Sequence, residues 1–207
     1  MSKKTQSTHQ RILASGLEIV SERGLAGVSL GGLAGRAGMS KSGLFAHFRS
    51  KEELQVELLR AAEEALRREV APAMGEPEGL PRLRALFGRW LGWAARSGLP
   101  GGCPLYGAAF ELDDAGEGPV RDYLTRSKDG WTGMLRGLVE EAVRLGHLGG
   151  DVDAAGFVWR LEGIYLAHHV SRRLVRDPDA DARALEAFED LVAWSLPGRT
   201  SDPEGRE

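Results

Sequence analysis

The chain has 207 residues, 42% of them hydrophobic and 28% charged, a composition typical of a folded protein of one or two domains. It contains no apolar run of the ~20 residues that a membrane span needs, and we expect neither a signal peptide nor a membrane partner. A single cysteine, Cys103, cannot form a disulfide within the chain, so the expected location is cytoplasmic.

The net charge of −3 is an average over two unlike parts of the chain. Residues 1–51 carry eight Lys and Arg against two acidic side chains, a net charge of +6. The remaining residues carry 19 basic and 28 acidic side chains, a net charge of −9. A basic segment on an acidic body favours a phosphate-binding head, and chance clustering on a solvated surface is the alternative.

Helical patterns dominate the basic N-terminal segment. The capping box Ser7–Gln10 predicts a helix over about 7–23, ended by Gly24. Ser29 is expected to cap a second, short helix and Ser40 a third, with Gly38 in the tight turn between them. Two short helices joined in this way form a helix-turn-helix, whose second helix enters the DNA major groove by its N-terminal end.

The rest of the chain also shows helical periodicity and no repeat. A second capping box, Ser50–Glu53, opens a long fourth helix. Five further helices are expected between Gly- and Pro-containing or acidic turns. They lie at about 83–97, at 105–112, from the acidic turn 113–116 to about 145, at 152–176 and at 180–195. We therefore predict an all-α protein of about nine helices, with a disordered polar tail over 197–207.

One ordered run of residues carries a family resemblance. It reads Gly38-Met39-Ser40-Lys41-Ser42-Gly43-Leu44-Phe45-Ala46-His47-Phe48-Arg49-Ser50-Lys51-Glu52-Glu53-Leu54, preceded by Gly24-Leu25, Val28-Ser29, Ala34 and Ala37. Over about residues 8–56 the chain resembles the TetR family of transcriptional regulators. The resemblance implies a DNA-binding head over 1–51, from which a helix starting at Lys51 leads to an effector-binding and dimerisation domain over 52–196.

The resemblance also implies roles for individual residues. Lys41, Ser42 and Gly43 would face base edges and phosphates, whereas His47 and Lys51 would contact phosphates. Position 45 is usually a tyrosine whose hydroxyl binds a phosphate, and Phe45 cannot donate that hydrogen bond. The predicted DNA-contacting residues are Ser29, Ser40, Lys41, Ser42, Gly43, Phe45, His47 and Lys51.

The second helix departs from the usual pattern. Gly31, Gly32 and Gly35 all fall within about nine residues. Each glycine costs a helix roughly 0.5–1 kcal/mol relative to alanine. We therefore expect the second helix, and with it the head, to be only weakly stable until the protein binds DNA.

A dimer is expected because short recognition helices suit two-fold symmetric DNA sites. In this family the last two long helices usually form a four-helix dimer interface, here about 152–176 and 180–195. The interface residues so implied are Phe157, Leu161, Phe188, Leu191 and Val192. For some of them, ordinary core packing within one chain is the alternative.

The middle helices are expected to enclose a pocket for a small-molecule effector. The candidate lining residues are Trp90, Trp93, Tyr106, Phe110, Trp131, Trp159, Tyr165 and His168, with hydrophobic core as the alternative for each. Gly130, Gly133 and Gly137 share one face of their helix. That face either admits another helix closely or leaves room for a ligand.

The sequence gives little support for a redox-active cysteine or a metal site. Cys103 beside Pro104 could be a redox thiolate, but a buried inert cysteine is the simpler interpretation. The neighbouring His168 and His169 point about 100° apart on a helix, and no metal-ligand spacing accompanies them, so we expect no metal and no other cofactor.

The function expected from the sequence is that of a sequence-specific DNA-binding transcriptional regulator. Its simplest form is a homodimeric repressor released from a pseudo-palindromic operator by a small-molecule effector. The alternatives are a DNA-binding regulator without an effector and an all-helical enzyme. We expect no enzyme, because no catalytic spacing links the acidic and histidine side chains.

Overall fold

The computed structural model describes residues 3–198, with side chains from Thr8 onward. Within that range the chain forms ten α-helices and no strand, which confirms the all-α prediction. The helices are α1 Lys3–Arg23, α2 Leu30–Arg36, α3 Lys41–Phe45, α4 Lys51–Val70, α5 Leu80–Trp90, α6 Trp93–Arg96, α7 Pro104–Leu112, α8 Pro119–Arg144, α9 Ala154–Val170 and α10 Ala180–Trp194.

Several helix boundaries differ from the sequence prediction. Helix α1 begins at Lys3, so the capping box expected near residue 7 lies inside the helix and does not start it. The helix predicted to continue to about residue 97 ends at Trp90, because Leu91 leaves helical geometry and Gly92 adopts a left-handed φ of 67°. Of the tail predicted to be disordered, residues 199–207 lie outside the described residues.

The chain forms two compact units. The first contains the chain as far as Glu69 together with Gly92–Asp129, and the second contains Val70–Leu91 and the chain from Gly130 onward. These divisions fall at other residues than 51, so the predicted separation into a head over 1–51 and a body over 52–196 stays a prediction.

The first unit has an apolar core built by α1 to α4. Apolar residues recur every three or four positions in α1 and α4, so each helix presents one apolar stripe. Burial of one such side chain is worth roughly 1.5–3 kcal/mol. The buried residues of this core include Ile12, Val20, Leu25, Val28, Leu33, Leu44, Phe48, Leu54 and Leu58.

The segment before α7 is fixed to the end of α1 within the first unit. The Gly101 N–H donates to Ser21 Oγ at 3.1 Å, and the Gly102 N–H donates to the Ser21 carbonyl oxygen at 3.0 Å. A Cβ on Gly101 would collide with that carbonyl, so the close approach requires glycine. At the other end of α7, Arg121 Nη1 donates to the carbonyl oxygens of Leu112, Asp113 and Ala115 and caps the helix.

The second unit is built from α5, the C-terminal part of α8, α9 and α10. Helices α5 and α10 are joined by the stacked rings of Phe87 and Phe188, whose centroids lie 4.6 Å apart. The same two helices share a bidentate ion pair, in which Arg84 Nε and Nη2 lie 2.9 and 2.7 Å from the carboxylate of Glu189. This carboxylate raises the pKa of Arg84, so the guanidinium stays charged.

Candidate nucleic-acid interface

Helix α2 begins after the predicted N-cap, Ser29, and ends before the predicted turn glycine, Gly38. Ser29 has extended backbone, and its Oγ accepts a hydrogen bond of 3.1 Å from the Gly32 N–H, which makes it the N-cap. At the other end Gly38 takes a φ of 66°, and the Met39 N–H donates to the Ala34 carbonyl oxygen at 3.0 Å. The predicted cap and turn are both confirmed.

Helix α3 starts immediately after this turn. Ser40 is its N-cap, with Oγ accepting a hydrogen bond of 3.1 Å from the Gly43 N–H. Leu44 on α3 is buried, as are Ala34 and Ala37 at the end of α2, so small side chains lie where the two helices pack. The described structure is therefore a helix-turn-helix with α3 as the second helix.

Three of the four predicted DNA-contacting residues on α3 are exposed. Lys41 and Ser42 are exposed, and Phe45 exposes 47% of its surface. The hydroxyls of Ser29 and Ser40 are already used as cap acceptors, so their predicted role includes holding the helix-turn-helix in shape. Gly43 contributes a backbone N–H that is bound to its cap, and its contact with DNA stays a prediction.

Lys51 stands at the start of α4, beside the N-cap Ser50, and the Glu53 carboxylate turns back to the N–H of the residue before that cap. The Glu53 N–H donates to Ser50 Oγ at 3.0 Å, and the Arg49 N–H donates to Glu53 Oε2 at 2.6 Å. Hydrogen bonds to its carboxylate from its own backbone N–H and from Ser50 hold the pKa of Glu52 below its ordinary value, and Lys51 adds to the effect. Lys51 is exposed, so its charge stands at the surface.

Lys41 and Lys51 differ from Arg36 in ion pairing. Arg36 Nη2 lies 2.6 Å from Glu18 Oε2, so much of its charge is neutralised within the head. Among the described residues neither Lys41 nor Lys51 has an ion-pair partner. Both ammonium groups are therefore available for phosphates.

His47 lies in a small aromatic cluster with a residue that the sequence did not single out. The ring of His9, from α1, stacks on Phe48 with centroids 5.2 Å apart and lies 6.1 Å from the ring of His47. His47 therefore lies beside α1 and next to Phe48, in the segment between α3 and α4, and is half-buried. No sequence signal could have identified His9, because 38 positions separate the two histidines.

Four of the candidate pocket residues come together in the second unit. The rings of Trp90 and Tyr165 stack almost parallel, with centroids 4.1 Å apart, and Trp131 contacts Trp90 edge-on at 5.1 Å. His168 lies beside Tyr165, and its Nε2 is 2.6 Å from Asp181 Oδ1. The indole N–H groups of Trp90 and Trp131 are buried, and within the described residues neither has a hydrogen-bond acceptor.

The other pocket candidates are placed differently. Tyr106 and Phe110 are on α7 and Trp93 is on α6, all in the first unit. Phe110 is 56% exposed and Trp159 is 77% exposed, so the structure corrects their assignment to an enclosed pocket. Gly130, Gly133 and Gly137 are exposed, and a Cβ at any of them would meet no atom within 4 Å. Within the described chain, that face therefore has no helix packed against it.

Two family models match this chain. Residues 12–58 match the model of bacterial regulatory proteins of the tetR family. Residues 79–188 match the model of the tetracyclin repressor-like C-terminal domain, which alone covers more than half of the chain. The chain belongs to the TetR family of transcriptional regulators.

Solved structures of TetR-family regulators share its fold. A regulator from Chloroflexus aurantiacus J-10-FL is 24% identical, with a TM-score of 0.80 over 93% of this chain and 96% of that one. One from Cytophaga hutchinsonii is 18% identical, with a TM-score of 0.81 over 95% and 98%. The regulatory protein TetR from Rhodobacter sphaeroides is 25% identical, with a TM-score of 0.73 over 89% and 98%. A comparison with curated proteins returns no match.

In this TetR-family regulator the residues predicted for the dimer interface show the alternative, core packing within a single chain. Their side chains are buried within a single chain, where they form the core of the second unit, so they offer no surface to a partner. The exposed large apolar side chains of the same helices are others, chiefly Trp159 at 77% and Trp194 at 75%. The buried residues are Phe157, Leu161, Phe188, Leu191 and Val192.

Two further features of the described residues bear on other chemistry. No helix within residues 3–198 is long and apolar enough to cross a membrane. No group of three or more His, Cys, Asp and Glu side chains described here is placed to hold a metal ion. Cys103 is buried at the start of α7, a placement that fits an inert cysteine.

Proposed function

We propose that this DNA-binding TetR-family regulator is a homodimeric repressor, released from a pseudo-palindromic operator by a small-molecule effector in the cytoplasm. The observation that carries the proposal is the outward face of α9. Its central row of residues is exposed and uncharged, with the exposed Arg160 beside it, in a chain whose head is a complete helix-turn-helix. Such a face supports a two-fold dimer, and a two-fold dimer is what a pseudo-palindromic site requires.

The face of α9 is defined by residues at four-residue spacing. Ala155, Trp159, Gly163 and Ala167 follow one another in this way, and Val170 extends the row. All five are exposed in the single chain. A large aromatic side chain in a charge-free row of small residues is characteristic of the buried centre of a protein interface.

A second copy of the chain is the occupant that best suits this face. A two-fold axis along the face would place the same residues of both copies against each other, so the face has to complement itself. Small residues on either side of Trp159 would leave space for the ring from the partner. A two-fold dimer also suits DNA whose half-sites lie one helical turn, about 34 Å, or a multiple of it apart.

The effector part of the proposal is supported by the buried aromatic cluster. Trp90 and Trp131 each present an indole N–H without an acceptor among the described residues. An unsatisfied buried donor costs about 1–3 kcal/mol, which a ligand with an acceptor atom would recover. One protein of similar fold, FadR from Bacillus subtilis, has been solved in complex with stearoyl-CoA. Release follows if the ligand binds better to the arrangement that does not fit the operator.

The dimer is tested by introducing a charge at the centre of the α9 face. Trp159→Lys should convert a dimer into a monomer, because an ammonium group would be buried against its own symmetry copy. Sedimentation equilibrium measures the change. Met74→Lys is the matched control, since Met74 is an exposed apolar residue of the second unit outside α9 and α10. A dimer that withstands Trp159→Lys would place the interface elsewhere.

Repression is tested on DNA that the protein itself selects. The full chain should enrich an inverted repeat from a random duplex pool. That repeat, placed at the promoter of a reporter gene, should lower expression when the protein is present. Higher expression would contradict repression and indicate an activator. A compound that raises the melting temperature of the protein should also lower its operator affinity; stabilisation without release would contradict the effector part.

A further inference from the structure

The outward face of α3 is polar at its start and apolar at its end. Lys41 and Phe45 are four residues apart, as are Ser42 and Ala46, so they form two neighbouring rows on the helix surface. All four residues are exposed, whereas Leu44 points into the core. The side of α3 that is open to a groove therefore ends in a phenyl ring and a methyl group.

The exposure of Phe45 is unusual in its surroundings. It exposes 47% of its surface, and no other large hydrophobic side chain described between Thr8 and Val70 is as exposed. Leaving such a side chain in water forgoes most of the stabilisation that burial would give. A position that remains exposed and apolar on a recognition helix points to an apolar contact on the DNA.

The chemistry of the Phe45 ring limits which groups on the DNA it can contact. It has no oxygen or nitrogen, so it cannot form a hydrogen bond with a phosphate or with a polar group of a base edge. The apolar group that base edges present in the major groove is the 5-methyl group of thymine, which apolar side chains contact directly.

We propose that Phe45, with the Ala46 methyl beside it, contacts the 5-methyl group of one thymine in each operator half-site and makes that position specific for T·A. The inference rests on the sequence-specific operator binding proposed above. Since Lys41 and Phe45 share a row, a groove that receives Lys41 also receives Phe45 about 6 Å further along the helix. Contact with deoxyribose is the competing outcome, because it would not depend on the base.

Deoxyuridine separates these outcomes, because it pairs like thymine and lacks only the methyl group. The operator selected by the full chain is made with each thymine in turn replaced by deoxyuridine, and affinity is measured by fluorescence anisotropy at constant salt. For the wild type, replacement at one position per half-site should lower operator affinity about fourfold, which corresponds to the burial of one methyl group. Phe45→Ala should bind the unmodified operator less tightly and show less than a twofold difference at that position.

Two controls keep the result interpretable. Phe45→Tyr retains the ring and should retain the sensitivity to the methyl group. Circular dichroism should show that both variants fold, as expected for an exposed position. The inference is overturned if no thymine position matters to the wild type, or if Phe45→Ala is equally sensitive. If no sequence is enriched from the pool, operator recognition itself fails, an outcome distinct from an operator that is insensitive to methyl removal.

Discussion

The carboxylate of Glu111 on α7 accepts a hydrogen bond of 2.8 Å from the backbone N–H of Leu25, at the turn that follows α1. Its second oxygen accepts another of 2.8 Å from the N–H of Ala26. Gly24, with a φ of 71°, brings this turn so close that a Cβ there would collide with the carboxylate. One side chain of α7 thus satisfies two backbone donors just before the helix-turn-helix.

Removal of this carboxylate should loosen the turn. Glu111→Ala leaves the N–H groups of Leu25 and Ala26 to water, and we expect a loss of roughly 1–2 kcal/mol in the free energy of unfolding, because the site is partly exposed. Urea denaturation measures the loss, and amide exchange at Leu25 and Ala26 should become faster. Glu117→Ala, at an exposed acidic residue beyond α7, should change stability by less than about 0.5 kcal/mol. Equal stability in both variants would contradict a structural role for Glu111.

Local signals explain why the helix-turn-helix could be predicted and this contact could not. Ser29, Gly38 and Ser40 lie within 12 positions of one another, and each acts on backbone groups within five residues of itself. Glu111 lies 86 positions from Leu25, and nothing in an exposed glutamate indicates which amides it will meet.

The burial of the residues predicted for the dimer interface was not foreseen for a different reason. Helix α9 is apolar on more than one side, since Phe157 and Leu161 are buried while Trp159 and Val170 are exposed. Periodicity separates apolar from polar faces, but it cannot decide which of two apolar faces belongs to the core. Burial in the folded chain is what separates them.

The glycines of α2 provide a test of the expected low stability of the head in the absence of DNA. Gly31 and Gly35 lie inside the helix, are exposed, and have open space where a Cβ would be. Replacing each with alanine should therefore stabilise the first unit by about 0.5–1 kcal/mol, since alanine loses less backbone entropy on folding. Urea denaturation measures the change, and amide exchange within α2 should become slower.

The matched control is the glycine at the turn. Gly38 also has open space around it, but its φ of 66° is strained for any residue with a Cβ. Gly38→Ala should accordingly lower the free energy of unfolding by about 1 kcal/mol, although the space around Gly38 is as open as that around Gly31 and Gly35. If all three alanine variants behaved alike, backbone conformation would not be the cause.

The two lysines should affect DNA binding in different ways. Lys51→Ala should weaken binding about equally for selected and random DNA and reduce the salt dependence by roughly one phosphate contact per protomer. Lys41→Ala should weaken binding to the selected operator more than to random DNA, because Lys41 lies on the outward face of α3. Anisotropy titrations at several salt concentrations measure both effects. Arg126→Ala, an exposed cation outside the motif, is the control and should leave both affinities unchanged.

Tyr123 should ionise later than an ordinary tyrosine. Burial, and a hydrogen bond of 2.7 Å from its hydroxyl to Glu63 Oε2, raise its pKa to about 12, although Arg60 above the ring acts in the opposite direction. The raised pKa favours the neutral hydroxyl in the folded state. Its contribution to stability is therefore complete below pH 10 and disappears as the pH rises through about 12.

Tyrosinate absorbance during an alkaline titration measures this shift. Subtracting the titration of Tyr123→Phe from that of the wild type isolates Tyr123 from Tyr106 and Tyr165. Glu63→Gln should bring the pKa of Tyr123 down towards 10, because it removes the negative charge beside the hydroxyl and leaves an acceptor of similar shape. Tyr123 ionising near pH 10 in the wild type would mean that its hydroxyl faces water and that the link between α8 and α4 through Glu63 is absent in solution.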